Sequence, residues 1–113
     1  MHMEIKEEGS NLRKVLLTGR LDTSAVLQIE PQFVTGLVPG GKHAIVDLSK
    51  VDFIASMGIR MFISVARIMR DKQAKLAFYA PQQLVSEVLH VASLHEIVPV
   101  CANADDAVKA VQS

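Results

Sequence analysis

From Ala44 onward, short apolar strand segments alternate with helical segments, and this order constrains the fold more than any other feature of the chain. Ala44-Ile45-Val46-Asp47-Leu48 is short, rich in β-branched residues and bounded by turns, which predicts a buried strand. Ser56–Lys72 predicts the strongest helix and Lys75–Tyr79 the next strand. Pro81 opens a helix running to about Ala92, at a position where proline is tolerated. Ile97–Cys101 predicts a further strand, and Ala104–Val111 a closing helix with Asp105 and Asp106 in its first turn, where the helix dipole favours acids. Strands joined through helices pair in parallel with right-handed crossovers, so a largely parallel sheet is implied.

The first forty residues add a different unit. Met3–Glu7 alternates weakly and predicts a short edge strand. Glu8-Gly9-Ser10-Asn11 is a turn cluster, and Val15-Leu16-Leu17 begins a second run that ends at Gly19; the two runs predict a hairpin. Asp22-Thr23-Ser24 supplies helix-capping residue types. Ala25, Leu27, Ile29, Phe33, Val34 and Leu37 then fit a helix, interrupted at Pro31 and stopped by Pro39-Gly40-Gly41. Ser49-Lys50-Val51-Asp52 is expected to be a connector, and Met1-His2 is left out of the strand assignment. With 113 residues the chain is expected to form one domain over 1–113.

Several function classes are disfavoured by composition. Twelve basic residues balance twelve acidic ones, so the surplus needed for general nucleic-acid or anionic-membrane binding is missing. Tryptophan is absent and aromatics are few, which argues against a stacking platform for single strands. The single cysteine, Cys101, allows no disulfide within the chain and suits a reducing, cytoplasmic setting. The N-terminal residues lack the apolar core of a secretory signal, and no apolar stretch reaches membrane-spanning length.

Residues able to do chemistry do not converge. His43, His90 and His95 are scattered, none at the spacing of a helical metal site. Cys101 lies in an apolar strand context, where an inert thiol is the commoner case. Gly40-Gly41 lacks the Gly-Lys-Ser/Thr ending of a phosphate loop. Asp47 and Asp52 flank the end of the central strand and could in principle hold magnesium, but no further acid cluster supports them, so a strand-end and a loop aspartate are favoured. No catalytic residue, metal site or cofactor is therefore expected.

The helix from Ser56 carries the most information. Projected at 100° per residue, Ile59, Phe62, Ile63, Ala66 and Met69 form a face suited to the sheet, and Arg60, Ser64, Arg67 and Asp71 an opposite polar stripe. Met57, Met61, Val65 and Ile68 extend the apolar arc beyond one sheet contact. Cover by neighbouring helices is favoured, with a methionine-rich partner surface as the alternative. Ser56 itself fits an ordinary N-cap serine, or a phosphoacceptor welcomed by the free N–H groups of a helix start.

The run IVDLSKVDFIASMGIRMFI, residues 45–63, resembles the signature segment of STAS domains, the sulfate transporter and anti-sigma factor antagonist family. Gly19-Arg20-Leu21-Asp22 resembles that family's early turn, and Val88 through Val98 followed by Ala104-Asp105-Asp106-Ala107 resembles its last helices and strand. The resemblance implies a small mixed, mostly parallel α/β sheet of four to five strands, with about four helices packed mainly on one side. It also implies a non-enzymatic anti-sigma factor antagonist, which binds an anti-sigma factor or serine kinase of the histidine-kinase-like ATPase type and so releases a sigma factor. Ser56 matches the phosphorylated serine, Gly58 the glycine that follows it, and Asp22 the acid of the partner-facing first turn. Ala55 and Met57 stand where the family usually has an acid and a second hydroxyl. Together with the apolar arc, this makes Asp22, Ser56, Met57, Gly58, Arg60 and Met61 the expected partner surface. The alternative is a STAS subunit that docks onto a transporter or larger assembly without phosphorylation.

Overall fold

In a computed structural model describing residues 1–113, the alternation resolves into a five-stranded sheet of order β1-β2-β3-β4-β5. The strands are β1 (His2–Glu7), β2 (Leu12–Leu21), β3 (His43–Ile54), β4 (Leu76–Tyr79) and β5 (Val100–Cys101). The helices are α1 (Thr23–Leu37), α2 (Ser56–Asp71), α3 (Gln83–Val91) and α4 (Ala104–Gln112). β1 is antiparallel to β2, and β2 through β5 pair in parallel, so the mixed, mostly parallel sheet expected from the sequence is present.

This order dictates where the helices go. Each parallel strand lies beside its predecessor, so crossovers of one hand must all pass over one face of the sheet. Accordingly, residues of α1, α2 and α3 share one large core with Ala44, Val46 and Leu48 of β3. α4 follows the last strand, escapes that constraint, and covers Ile45, Ala77 and Tyr79 on the other face through Ala107 and Val111. β4, covered on both faces, is buried at all four positions. On the helical face Phe62 of α2 sits between Phe33 of α1 and Phe78 of β4, with ring centroids 5.6 and 4.7 Å away. A Cβ on Gly36 would occupy the place of the Ile5 side chain, so this glycine lets β1 lie against α1.

Some element bounds differ from the sequence reading. β3 runs on through Ser49–Asp52, expected to be a connector, because Thr18–Leu21 of an equally extended β2 pairs with Lys50–Ile54 across two register shifts. β5 keeps only two of the five residues expected: Leu94–Glu96 forms a short turn of helix, and Val98 turns into the core. Pro81 precedes the N-cap residue Gln82 and does not open α3. His2, set aside in the sequence reading, joins β1.

Tyr79 gives the fold a pH signature. Its hydroxyl is buried beside the Asp47 carboxylate without forming a well-aligned hydrogen bond. Burial, reinforced by the nearby Asp47 carboxylate, pushes the phenol up to about 12. The unfolded chain's tyrosine ionises near about 10. Between these values the unfolded state has released a proton that the folded state keeps, so stability falls as pH rises from about 10 to about 12 and this contribution then levels off. Tyr79→Phe is expected to reduce that alkaline loss. At neutral pH it should change stability little, since the hydroxyl makes no well-aligned hydrogen bond. Urea unfolding at about pH 8 and about pH 11 checks both statements.

Candidate functional site

The carboxyl ends of β2 and β3 carry the starts of α1 and α2, which brings the expected site residues to one end of the sheet. The Ala55 N–H donates to the Leu21 carbonyl at 2.8 Å, tying the two strand ends together. Ala55 is the N-cap of α2 and offers no side-chain cap, so Ser56 is the first helical residue and not the capping serine that composition alone favours. Its side chain is exposed at the positive end of a 16-residue helix. Capping by a side chain belongs instead to Asp22, whose Oδ1 accepts from the Ala25 N–H at 2.8 Å at the start of α1. Arg20 approaches the other Asp22 oxygen at 3.8 Å and lies 3.9 Å over the Phe53 ring. Asp22 is therefore held in place while remaining half-exposed.

The expected surface divides. Ser56, Met57 and Arg60 are exposed on the first turns of α2. Met61 is not: it is 1% exposed within the main core, as is Val65, because α1 packs alongside this flank of α2. Its assignment to a partner surface is thus corrected. Gly58 is also buried, and a Cβ there would come within 3.1–3.2 Å of Leu21 and Ile54. It is the spacer that seats the first turn of α2 on the strand ends, not a contact for a partner. The buried stripe is rotated from the one projected, toward Gly58, Met61 and Val65 and away from Ile63 and Ala66, which are only half-buried.

A groove missed in the sequence completes the site. It holds about 720 Å³ between the end of β3, the start of α2 and α3, with Phe53, Ile59, Leu84 and Val88 on its walls and Ser56 at its edge. Leu84, Val88 and Val91 of α3 expose apolar surface at successive helical turns, Leu84 at 70% and Val91 at 87%. The signal was legible: beside the buried pair Val85 and Leu89, these three form a second apolar stripe. Asp52, Glu87 and Arg60 supply the charge around the groove. Ser56 is the one hydroxyl group on its lining.

Of the remaining chemical candidates, expected to be scattered, only His90 and His95 come together. Asp47 lines a cleft with Tyr79 and accepts from the Ser49 N–H at 2.9 Å, whereas Asp52 lies on the groove, so the two acids do not form a pair. Burial, with help from Asp106, pushes the Cys101 thiol up, the opposite of activation. His43 accepts from the Lys75 N–H, and His90 and His95 stack on each other at 4.3 Å. No group of three His, Cys, Asp or Glu side chains is arranged to hold a metal, and no helix is long and apolar enough to cross a membrane.

With this geometry in hand, comparison with known proteins is specific. Residues 3–107 match the STAS domain. BtrV of Bordetella bronchiseptica, provisionally named an anti-sigma factor antagonist, is 29% identical over 94 residues, covering 83% of this chain and 80% of the relative. The anti-sigma-B factor antagonist of Listeria monocytogenes is 19% identical over 98 residues, covering 87% and 86%. Among solved structures, the anti-sigma factor antagonist SpoIIAA in its unphosphorylated form superposes with a TM-score of 0.81 at 20% identity, covering 98% of this chain and 96% of that one. The phosphorylated form of the Bacillus protein superposes at 0.72 and 18% identity, covering 96% and 97%. At these identities the structural likeness speaks to fold.

Proposed function

Because the chain belongs to the STAS domain family, we propose that it acts as an anti-sigma factor antagonist: it binds an anti-sigma factor through the end of the domain that carries Ser56 and thereby frees a sigma factor. The observation that carries this reading is the exposed apolar groove between α2 and α3 with an exposed serine at its edge. An apolar groove with a sparse charged rim suits a protein segment laid into it, Leu84, Val88 and Phe53 giving contact area and Arg60, Asp52 and Glu87 orientation. The domain works by occupancy and not by catalysis, in the cytoplasm, with a partner that is itself a serine kinase of the histidine-kinase-like ATPase type.

Phosphorylation of Ser56 is the proposed off-switch. It adds about −1.5 to −2 charges beside a groove already bordered by Asp52 and Glu87. The start of α2 stabilises the phosphate within the folded domain, so modification need not unfold it. A partner that covers this edge must then strip water from a dianion lying next to Met57 and the groove walls, at a desolvation cost. One feature favours a second reading, docking onto a transporter or larger assembly without phosphorylation: Ala55 and Met57 replace the acid and the second hydroxyl usual around the serine. Intact-mass analysis after incubation with ATP and the anti-sigma partner recovered from the native host separates the two. One phosphate per chain, absent from Ser56→Ala, is expected; no phosphate in the presence of an active kinase puts the second reading in its place.

A further inference from the structure

We propose that the cleft at the opposite end of α2 is a second binding site, for a small amphiphilic anion: a phosphate- or carboxylate-bearing molecule with a compact apolar body. The cleft holds about 340 Å³ between the last turns of α2, the start of β4, residues 97–99 and α4. Arg67, Arg70 and Lys75 line it, and no acidic residue does. All three cations are exposed, and none lies within ion-pairing distance of an Asp or Glu side chain. Lys75 Nζ donates to the carbonyl of Ser113. Leu76 and Val98 give the cleft apolar walls, and Ile97 beside them is 45% exposed.

This concentration of charge stands out in a chain whose net charge is zero. A cation in the last turn of a helix is favoured by the helix dipole, which accounts for Arg70. It does not account for Arg67 a turn earlier, or for Lys75 beyond the helix, on the same cleft. Arg67 and Arg70 have no acidic partner, whereas Lys75 is already held by the Ser113 oxygen, so an anion seated here is bound chiefly by the two guanidiniums and relieves the repulsion between them. Two guanidinium forks match the paired oxygens of a phosphate or carboxylate, while the walls reward burial of an apolar group. The volume is at the lower end of small-molecule pockets, which fits a compact molecule rather than a helix. Arg67 and Arg70 lie 11 to 14 residues along α2 from Ser56, or about 16–21 Å at the helical rise, so the site is separate from the proposed partner surface.

Phenyl phosphate is the probe, titrated into the nitrogen-labelled chain while backbone amide shifts are followed. Saturating shifts are expected at residues 66–76 and 97–99. Affinity should be about tenfold or more weaker in the Arg67→Gln/Arg70→Gln variant, whose thermal unfolding should shift by only a few degrees, because both side chains are exposed and only Arg70 gives up a favourable helix-dipole contact. Inorganic phosphate, lacking the apolar body, and neutral benzyl alcohol should each bind more weakly than phenyl phosphate. Benzoate measured alongside tells a carboxylate head from a phosphate head; the tighter of the two names the natural head group. Shifts centred on Ser56–Ile59, equal affinity in the double variant, equal affinity for inorganic phosphate, or no saturable shifts with either aromatic anion would each overturn the proposal.

Discussion

Truncating Phe62 to alanine is expected to remove about 3–5 kcal/mol of folding stability. The ring is fully buried and touches aromatic partners on two other elements, Phe33 of α1 and Phe78 of β4, both tilted at 57°. It is the point where α1, α2 and the sheet meet, so the cavity left behind has walls on three elements and little freedom to collapse. Tilted aromatic pairs add about 0.5–1.5 kcal/mol beyond burial. Domains of this size are stable by about 5–15 kcal/mol in total, so the variant should lose a large share of its margin, with a Tm lower by more than ~10 °C. Thermal and urea unfolding followed by circular dichroism measure this directly. A loss below about 1 kcal/mol would mean that the three-ring contact does not form.

Met61→Lys is expected to prevent cooperative folding or to lower Tm further still. The Met61 side chain is 1% exposed between α2 and its neighbours. A lysine there must bury an ammonium without a partner, which costs several kcal/mol even after relaxation. Met57→Lys, one turn earlier and 37% exposed, provides the contrast: stability should change by less than about 1 kcal/mol, and any effect should appear in partner binding. The two methionines lie on the same arc of the projected helix, so the pair of Tm values tests the placement of α1 against α2. A folded Met61→Lys protein with an unchanged Tm would contradict it.

That contrast marks the boundary of what the sequence could reveal. The strand–helix alternation fixed the parallel sheet, and the turn residues at Gly9, Asp22 and Pro39 marked the ends of the early elements. The continuation of β3 through Ser49–Asp52 was hidden because those polar residues are held by pairing with β2, not by an apolar pattern of their own. Helical periodicity found the broad apolar arc of α2, but it does not say which part a neighbouring helix covers; that depends on α1 packing alongside, a tertiary fact. Gly58 appears in the motif as a functional glycine, and its close approach to Leu21 and Ile54 gives it a structural role. The stripe Leu84, Val88 and Val91 lay in plain view and gained meaning only once α3 was placed beside Ser56.

The central claim is that the groove beside Ser56 is where the anti-sigma partner binds, and calorimetric titration of that partner against four forms of the protein tests it most directly. Leu84→Asp alters the groove at a side chain that is 70% exposed and in the first turn of α3, where an acid is compatible with the helix dipole. Ser56→Asp places a charge at the edge of the groove. Lys109→Glu changes an exposed residue of α4, on the other face of the sheet. The predicted result is that Leu84→Asp and Ser56→Asp each weaken binding about tenfold or more, ~1.4 kcal/mol, while Lys109→Glu binds like the unmodified protein and all four unfold at similar temperatures. Unchanged affinity in both Leu84→Asp and Ser56→Asp, or a loss confined to Lys109→Glu, would contradict the account.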